Sequence, residues 1–301
     1  MLKSFFNRTI VAIILIGIML ALLYVGSFEP YGFIAFDMMM LIMVSIATLE
    51  MFNVMKKKYN PFLIPVIVCI VVVYPVQFLL ERYTHTKGYA GVMLTAVLGF
   101  LISTLIFIFD KKQRSFEDLI STVFVLLYPL LIVSISYVSN HRMGFLPVLV
   151  AIGASLMADT FAYFVGSIVK GPKIFPNISP KKTWSGCIAG LFGAVAGALL
   201  IYAVFEVGQF PTHLVFTVTE LVEHNGWAEG WIIGMYVITG FVIGFVSEIG
   251  DLAASCIKRR FGVKDYSNLL GAHGGFMDRI DSILFALMFL IPICTMCYGV
   301  M

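Results

Sequence analysis

Charge is scarce in this 301-residue chain: Asp, Glu, Lys and Arg together make up 12% of it, about half the share carried by soluble domains. With 60% hydrophobic residues and a mean hydropathy of +0.98, a water-soluble fold is excluded and an integral membrane protein is expected. Cysteine is also scarce. Cys69, Cys187, Cys294 and Cys297 lie in or at the ends of apolar runs, and Cys256 closes another, so no disulfide framework is expected. Cys294 and Cys297 have the spacing of a redox or metal pair. Without a matching pair or an adjacent His, they read as small apolar residues on one helix face. No connection between apolar runs reaches the roughly 50 residues of the smallest ordinary domains. A cleavage pattern is missing as well: Leu22-Leu-Tyr-Val-Gly-Ser-Phe-Glu-Pro30 is bulky where a signal peptide has small residues, so the first apolar run is expected to be retained.

The abundant feature is the apolar run itself. Nine stretches, near 9–26, 31–54, 61–80, 90–109, 118–138, 144–168, 186–207, 231–257 and 282–300, each approach the roughly 20 residues needed to cross a bilayer as helix. The expected fold is therefore all-α and polytopic. Basic residues collect on the cytoplasmic side of membranes, and in alternate connections 17 Lys and Arg fall on one side against Arg82, Lys87 and Arg142 on the other. That asymmetry predicts a cytoplasmic amino terminus and an external carboxyl terminus, in a multi-pass cell-membrane protein whose site faces the cytoplasm.

By chemistry the chain divides in two. Residues 1–150 read as scaffold helices, and residues 151–301 as the catalytic region, since they hold the paired intramembrane acids and the two longest basic connections. Gly186, Gly190, Gly193 and Gly197 in the seventh run, and Gly240 and Gly244 in the eighth, form small-residue seams that let helix backbones approach closely in lipid. Packing inside the bundle is the expected use of these seams; a homodimer contact is the alternative.

A charge inside a membrane helix costs about 2.5–3.5 kcal/mol at the centre, so such residues face the protein interior and carry function. Asp37, Glu50 and Glu206 fall near span ends, where a solvated or snorkelling role suffices. Asp159 and Asp251 lie nearer the basic connections. On the eighth run Glu248, Asp251, Ser255 and Lys258 follow helical spacing along one face, a ladder of carboxylate, hydroxyl and ammonium suited to a divalent ion and its phosphates.

The densest polar stretch runs from Ser255 to Asp281. It contains Lys258, Arg259, Lys264, Asp265, then Gly271-Ala-His-Gly-Gly275, then Asp278, Arg279 and Asp281. Mg2+ prefers oxygen ligands and is commonly held by one or two carboxylates plus substrate phosphates. Asp251 with Asp278, joined by Asp281, is accordingly the expected metal site. Gly274 and Gly275 allow backbone N–H groups to close on phosphate oxygens, and His273 can donate to a phosphate or a base. A second basic connection, Lys170 to Gly186, offers Ser179, Lys181, Lys182 and Thr183 to an anionic head group; a plain positive-inside loop would need only the lysines.

The Ser255 to Asp281 stretch resembles the signature of the phosphatidate cytidylyltransferases (CDP-diacylglycerol synthases). Ser, Lys-Arg, Lys-Asp, a small residue, His-Gly-Gly and Asp-Arg-x-Asp recur at the family spacing. Ala158-Asp-Thr-Phe-Ala-Tyr-Phe-Val-Gly166, Ser179-Pro-Lys-Lys-Thr-Trp184 and Gly250-Asp-Leu252 are similar to the family's other motifs. Two positions depart: Ser185 stands where the family commonly has Glu, and Gly271-Ala272 replaces a Pro. The resemblance implies attack by a phosphatidate phosphate oxygen on the α-phosphorus of CTP with Mg2+ as cofactor. It implies that Lys258, Arg259, Lys264 and Arg279 offset charge and that His273 and its glycines cradle the nucleotide. Ser179, Lys181, Lys182 and Thr183 would then take the lipid phosphate or the triphosphate, and no nucleic-acid partner is expected. Two other classes compete. One is another CTP-using membrane enzyme, an isoprenoid lipid kinase or a CDP-archaeol synthase; the other is an ion transporter, which would string its acids across both leaflets.

Overall fold

A computed structural model describes residues 32–84, 89–110, 114–132, 134, 146–176, 178–208, 218–224, 226, 228, 230–271 and 274–298. The expected first span at 9–26 and His273 lie outside the described residues. The described part is helical except for one short β-hairpin, and six of its helices are long and apolar enough to cross a membrane. The protein is thus a polytopic membrane protein. Its chain packs as two compact units, one made of 1–138 with 260–279 and the other of 139–259 with 280–301.

In the first unit, helices α1 (Gly32–Met55), α2 (Leu63–Thr84) and α3 (Ala90–Phe109) are followed by α4 (Phe116–Val125), which widens into a π-helical turn at Leu126–Leu131. Pro129 lies in that turn, where its missing N–H interrupts the regular hydrogen-bond ladder. The start of α4 is set by a capping box: Ser115 Oγ accepts from Asp118 N, and the Asp118 carboxylate accepts from Ser115 N. The same carboxylate accepts from Asn60 N at 2.7 Å, while Thr122 Oγ1 accepts from Phe62 N at 2.8 Å. Two polar side chains of one helix thereby tie down the turn after α1. Between α2 and α3 the core is Val73, Tyr74 and Val92. A Cβ at Gly91 would stand 2.4 Å from the Gln77 Cα, so only glycine permits this approach.

In the second unit, α5 (Leu146–Val169) leads through strands β1 (Lys173–Phe175) and β2 (Ser179–Thr183) into α6 (Trp184–Tyr202), which ends in a π-helical turn at Ala203–Val207. Short α7 (Val218–His224), long α8 (Gly230–Arg260) and α9 (Met277–Tyr298) follow, the last beginning within the 260–279 segment. The strands pair antiparallel, Lys173 opposite Thr183 and Phe175 opposite Ser179. Helical periodicity carries no sign of this hairpin, because strands of three and five residues are too short to show an alternation. The Glu206 carboxylate accepts from Val218 N and Tyr236 Oη, so protein donors meet this membrane acid where a solvated or snorkelling role is expected.

The glycine seams pack inside this unit. A Cβ at Gly193 would meet the Met157 carbonyl at 2.6 Å and the Phe161 Cβ at 2.7 Å, and one at Gly197 the Gly153 carbonyl at 2.7 Å. Gly186 and Gly190 meet the Ala162 and Ala158 carbonyls of the same helix, α5, while Gly240 and Gly244 face α6 at Ala194. Backbone contact of this kind replaces the hydrophobic drive that lipid does not supply. Gly193→Ala is expected to destabilise the protein by about 1–3 kcal/mol, the usual range for overpacking. Gly234→Ala, where a Cβ meets nothing within 4 Å, serves as the control. Thermal unfolding of both in detergent checks the difference, and equal midpoints would show that the seam yields without cost.

Candidate active site

The hairpin exists because helix α5 stops where it does. Lys170 follows Val169 with a left-handed φ of 49°, a conformation costly for a residue with a Cβ, and β1 begins at Lys173. At the far end Thr183 caps α6, its buried Oγ1 accepting from Gly186 N at 3.2 Å. Fixed at both ends, the hairpin walls a cavity of about 720 Å3. Ser179, Lys181, Lys182 and Thr183 line it with Lys170 and Lys173, and so do Asp159, Glu248 and Asp251. Volumes of about 300–1,000 Å3 are usual for small-ligand sites. The wall continues along α5 as Ala162, Tyr163 and Gly166, so one cavity combines lysines with a face of a membrane helix.

Lys182 is the electrostatic centre of this cavity. Its ammonium is paired with the Glu248 carboxylate and lies 2.8 Å from Asp251 Oδ2. Burial works against the charge on Lys182, but the Asp251 and Glu248 carboxylates outweigh it and hold the lysine above its ordinary pKa. It therefore stays an ammonium at any physiological pH. Glu248 also accepts from Cys187 Sγ at 3.4 Å. A second pair lies further along: Lys258 Nζ is 3.5 Å from Asp281 Oδ2. Asp159 accepts from Ser282 Oγ at 3.2 Å, and Asp251 is in electrostatic range of both Asp159 and Asp281. Four carboxyl groups gather here with two ammoniums, and their oxygens are of the kind that could hold a divalent cation. Among the described residues no group of three or more His, Cys, Asp or Glu side chains converges to hold an ion alone. An ion held here would need its remaining oxygens from outside this cluster, as Mg2+ commonly takes them from substrate phosphates.

On α8, Glu248 and Asp251 grip one lysine from successive turns, while Lys258 of the expected ladder pairs instead with Asp281 of α9. Ser255 stands one turn below Asp251 on the same helix, half-buried. Exposed Arg259 donates from Nε to the Ile178 carbonyl at 3.4 Å and so steadies the hairpin turn.

The 260–279 segment, in the other unit, forms a loop with left-handed glycines at Gly262, Gly271 and Gly274, φ 69°, 58° and 76°. Asp278 organises it: Oδ2 accepts from Tyr266 N at 2.7 Å and from Gly275 N at 2.9 Å. Gly274 N donates to the Gly271 carbonyl at 3.2 Å. The N–H groups of both glycines are thus engaged within the loop, and a ligand would meet the loop's other atoms first. Lys264, Asp265 and Arg279 are exposed around it.

Glu50 departs from its expected snorkelling role. It is buried, 6% exposed, and accepts from Ser267 Oγ at 2.5 Å, Phe276 N at 3.0 Å and Met277 N at 2.7 Å. These partners lie more than 200 residues away in sequence, so position near a helix end is the only signal the sequence offers, and it points to solvent. Lys170 and Lys173 join the cavity from the basic connection that contains them, and Cys187 joins it with no chemical pattern to mark it beforehand. Glu248 has a usable signal, since it stands at i−3 from Asp251 in an apolar helix.

These features define a polytopic membrane protein with a lysine- and carboxylate-lined cavity beside its membrane helices. The profile of the Cytidylyltransferase family matches residues 6–297, and the chain belongs to that family. It is 37% identical over 147 residues to a phosphatidate cytidylyltransferase of Brucella abortus (strain 2308), covering 49% of this chain and 46% of that one. It is 31% identical over 191 residues to one of Aquifex aeolicus (strain VF5), 62% and 61% of the two chains. With one of Bacillus subtilis (strain 168) it shares 35% over 133 residues, 44% and 41%. The matched stretch spans about half the length of these relatives.

Proposed function

We propose that this protein transfers the cytidylyl group of CTP to phosphatidate. A phosphatidate phosphate oxygen forms the new bond to the α-phosphorus, the bond from that phosphorus to the bridging β-phosphate oxygen breaks, and CDP-diacylglycerol and pyrophosphate result. The observation that carries this reading is the cavity whose lysines face intramembrane carboxylates beside a membrane-helix wall. A lipid phosphate needs cations at its head and apolar surface below, and both border this one space. Ser179, Lys181, Lys170 and Lys173 receive the lipid phosphate there. The Lys264 to Arg279 loop receives the nucleotide, with His273, Lys264 and Arg279 offsetting triphosphate charge.

The nucleophile is already an anion near pH 7, so the reaction needs charge neutralisation and alignment more than a strong base. Lys182 keeps Asp251 and Glu248 in place, and Lys258 does the same for Asp281. Asp251 and Asp281, bordered by Asp159, would hold Mg2+. The ion would supply positive charge to substrate phosphates. Asp278, the other expected ligand, has Oδ2 committed to loop N–H groups, and we assign it first to shaping the nucleotide loop.

Membranes containing the protein, incubated with labelled CTP and separate lipid acceptors, should label phosphatidate alone. Labelling of an isoprenoid alcohol or an archaetidic acceptor instead would replace this reading with that of a related CTP-using enzyme. The nine-span arrangement with a cytoplasmic amino terminus is part of the same proposal and rests on the basic-residue asymmetry. A reporter fused after Lys112 is expected to read cytoplasmic and one after Met301 external. Both on one side would separate the site from cytosolic CTP.

A further inference from the structure

We propose that Glu50, on the first described helix, is a positioning residue for the nucleotide loop. This inference rests on the assignment of that loop to CTP. It concerns a residue outside every motif that points to the site, in the half of the chain that otherwise reads as scaffold.

The geometry is a clamp of two carboxylates on one turn. Gly275, Phe276 and Met277 present three successive N–H groups at the start of α9, where a helix leaves its first donors unpaired. Asp278 accepts the first, and Glu50 accepts the second through Oε1 and the third through Oε2. Ser267 Oγ, earlier in the loop, donates to Glu50 Oε1 as well. Glu50 therefore joins the two ends of the loop, Ser267 and Phe276-Met277, through one carboxylate carried by a different helix. Asp278 joins the same ends from within, at Tyr266 and Gly275.

Three considerations favour positioning over simple packing. A buried carboxylate is costly unless its charge is met, and here the positive end of a 22-residue helix meets it. The fit is close: a Cβ at Gly275 would stand 2.7 Å from Glu50 Oε2, so the glycine of the signature is required by the carboxylate. Lastly, Glu50 fixes the turn immediately before Asp278 and Arg279. A loop that must present cations to a triphosphate loses alignment when such an anchor is released, and misplacement by about 1 Å can cost up to about 10²-fold in rate.

The test uses the full-length protein in detergent or nanodiscs. Glu50→Gln keeps the shape and one acceptor but loses the charge. Amide exchange of residues 274–277 and direct CTP binding are measured on this variant, together with the KM values for CTP and phosphatidate. The expected result is faster exchange at Phe276 and Met277, CTP affinity and CTP KM weakened about tenfold, within the range above, and an unchanged phosphatidate KM. Gly275→Ala, which presses on the same carboxylate from the loop side, should reproduce the pattern. It keeps the test decisive if Glu50→Gln does not accumulate. Glu50→Asp, which retains the charge on a shorter arm, should recover part of the CTP affinity. Unchanged CTP binding in a folded Glu50→Gln protein with wild-type turnover overturns the inference alone. Equal weakening of CTP and phosphatidate overturns it too, because that is the mark of general loosening. A wild-type protein that binds no CTP overturns both the inference and the functional reading beneath it.

Discussion

Asp251→Asn is expected to lower cytidylyl transfer by about 10²–10³-fold, the loss typical when one charge-stabilising group is removed from a reaction centre. Asp251 lies one helical turn from Glu248 on α8, 2.8 Å from the Lys182 ammonium, and lines the same cavity as Asp159. The amide retains the shape and can still accept a hydrogen bond from Lys182, and Glu248 continues to neutralise that lysine. Stability should therefore change little while activity collapses. Binding of Mn2+, used as a spectroscopic substitute for Mg2+, should weaken in the same variant in the presence of CTP. Retention of near-normal turnover at limiting Mg2+ would remove Asp251 from the ligand set.

Lys182→Met is expected to act in the opposite order, on the fold first. The ammonium is nearly buried and sits between two carboxylates, and removing one partner of a buried ion pair costs about 3–5 kcal/mol, because the remaining charge is left uncompensated. Asp251 is partly exposed, so solvent relieves some of that penalty and about 3 kcal/mol is the expected loss. Adding Glu248→Gln should return part of it, since residues in contact do not behave additively. Neither protein should transfer cytidylyl groups at the wild-type rate. A Lys182→Met protein that unfolds at the wild-type temperature, with no further effect of Glu248→Gln, would mean that the lysine is a solvated surface cation and that the centre of the site is elsewhere.

Patterns confined to a single helix are legible in the sequence. Gly186, Gly190, Gly193 and Gly197 keep a spacing that places them on one face, and they do pack against one helix. Glu248 and Asp251 have the spacing of neighbours on α8, and they share one lysine. The Asp278-x-x-Asp281 spacing suits the start of a helix, and α9 begins at Met277. Such readings succeed because periodicity within a helix follows from its geometry, whatever surrounds it.

Contacts between distant segments leave no such mark. Lys182 has the look of a free cation for substrate, although it is already committed to two carboxylates more than 60 residues further along the chain. Gly274 and Gly275 have the look of a phosphate cradle, although their N–H groups are engaged inside the loop. The connection between α5 and α6 shows its lysines and hydroxyls in sequence but not that they stand on a hairpin.

By itself, the sequence determined that this protein lives in a membrane, which runs are long enough to cross it, and where its polar chemistry is concentrated. Apolar length and the cost of burying charge are local properties, and they are summed residue by residue along the chain. Only the tertiary structure decided which cation meets which carboxylate, that a hairpin walls the lysine-lined cavity, and that Glu50 holds the glycine loop. Those are matters of a few ångströms between segments far apart in sequence. In a low-dielectric interior the distance between partners sets the strength of the interaction, and the identity of the residues alone does not contain it.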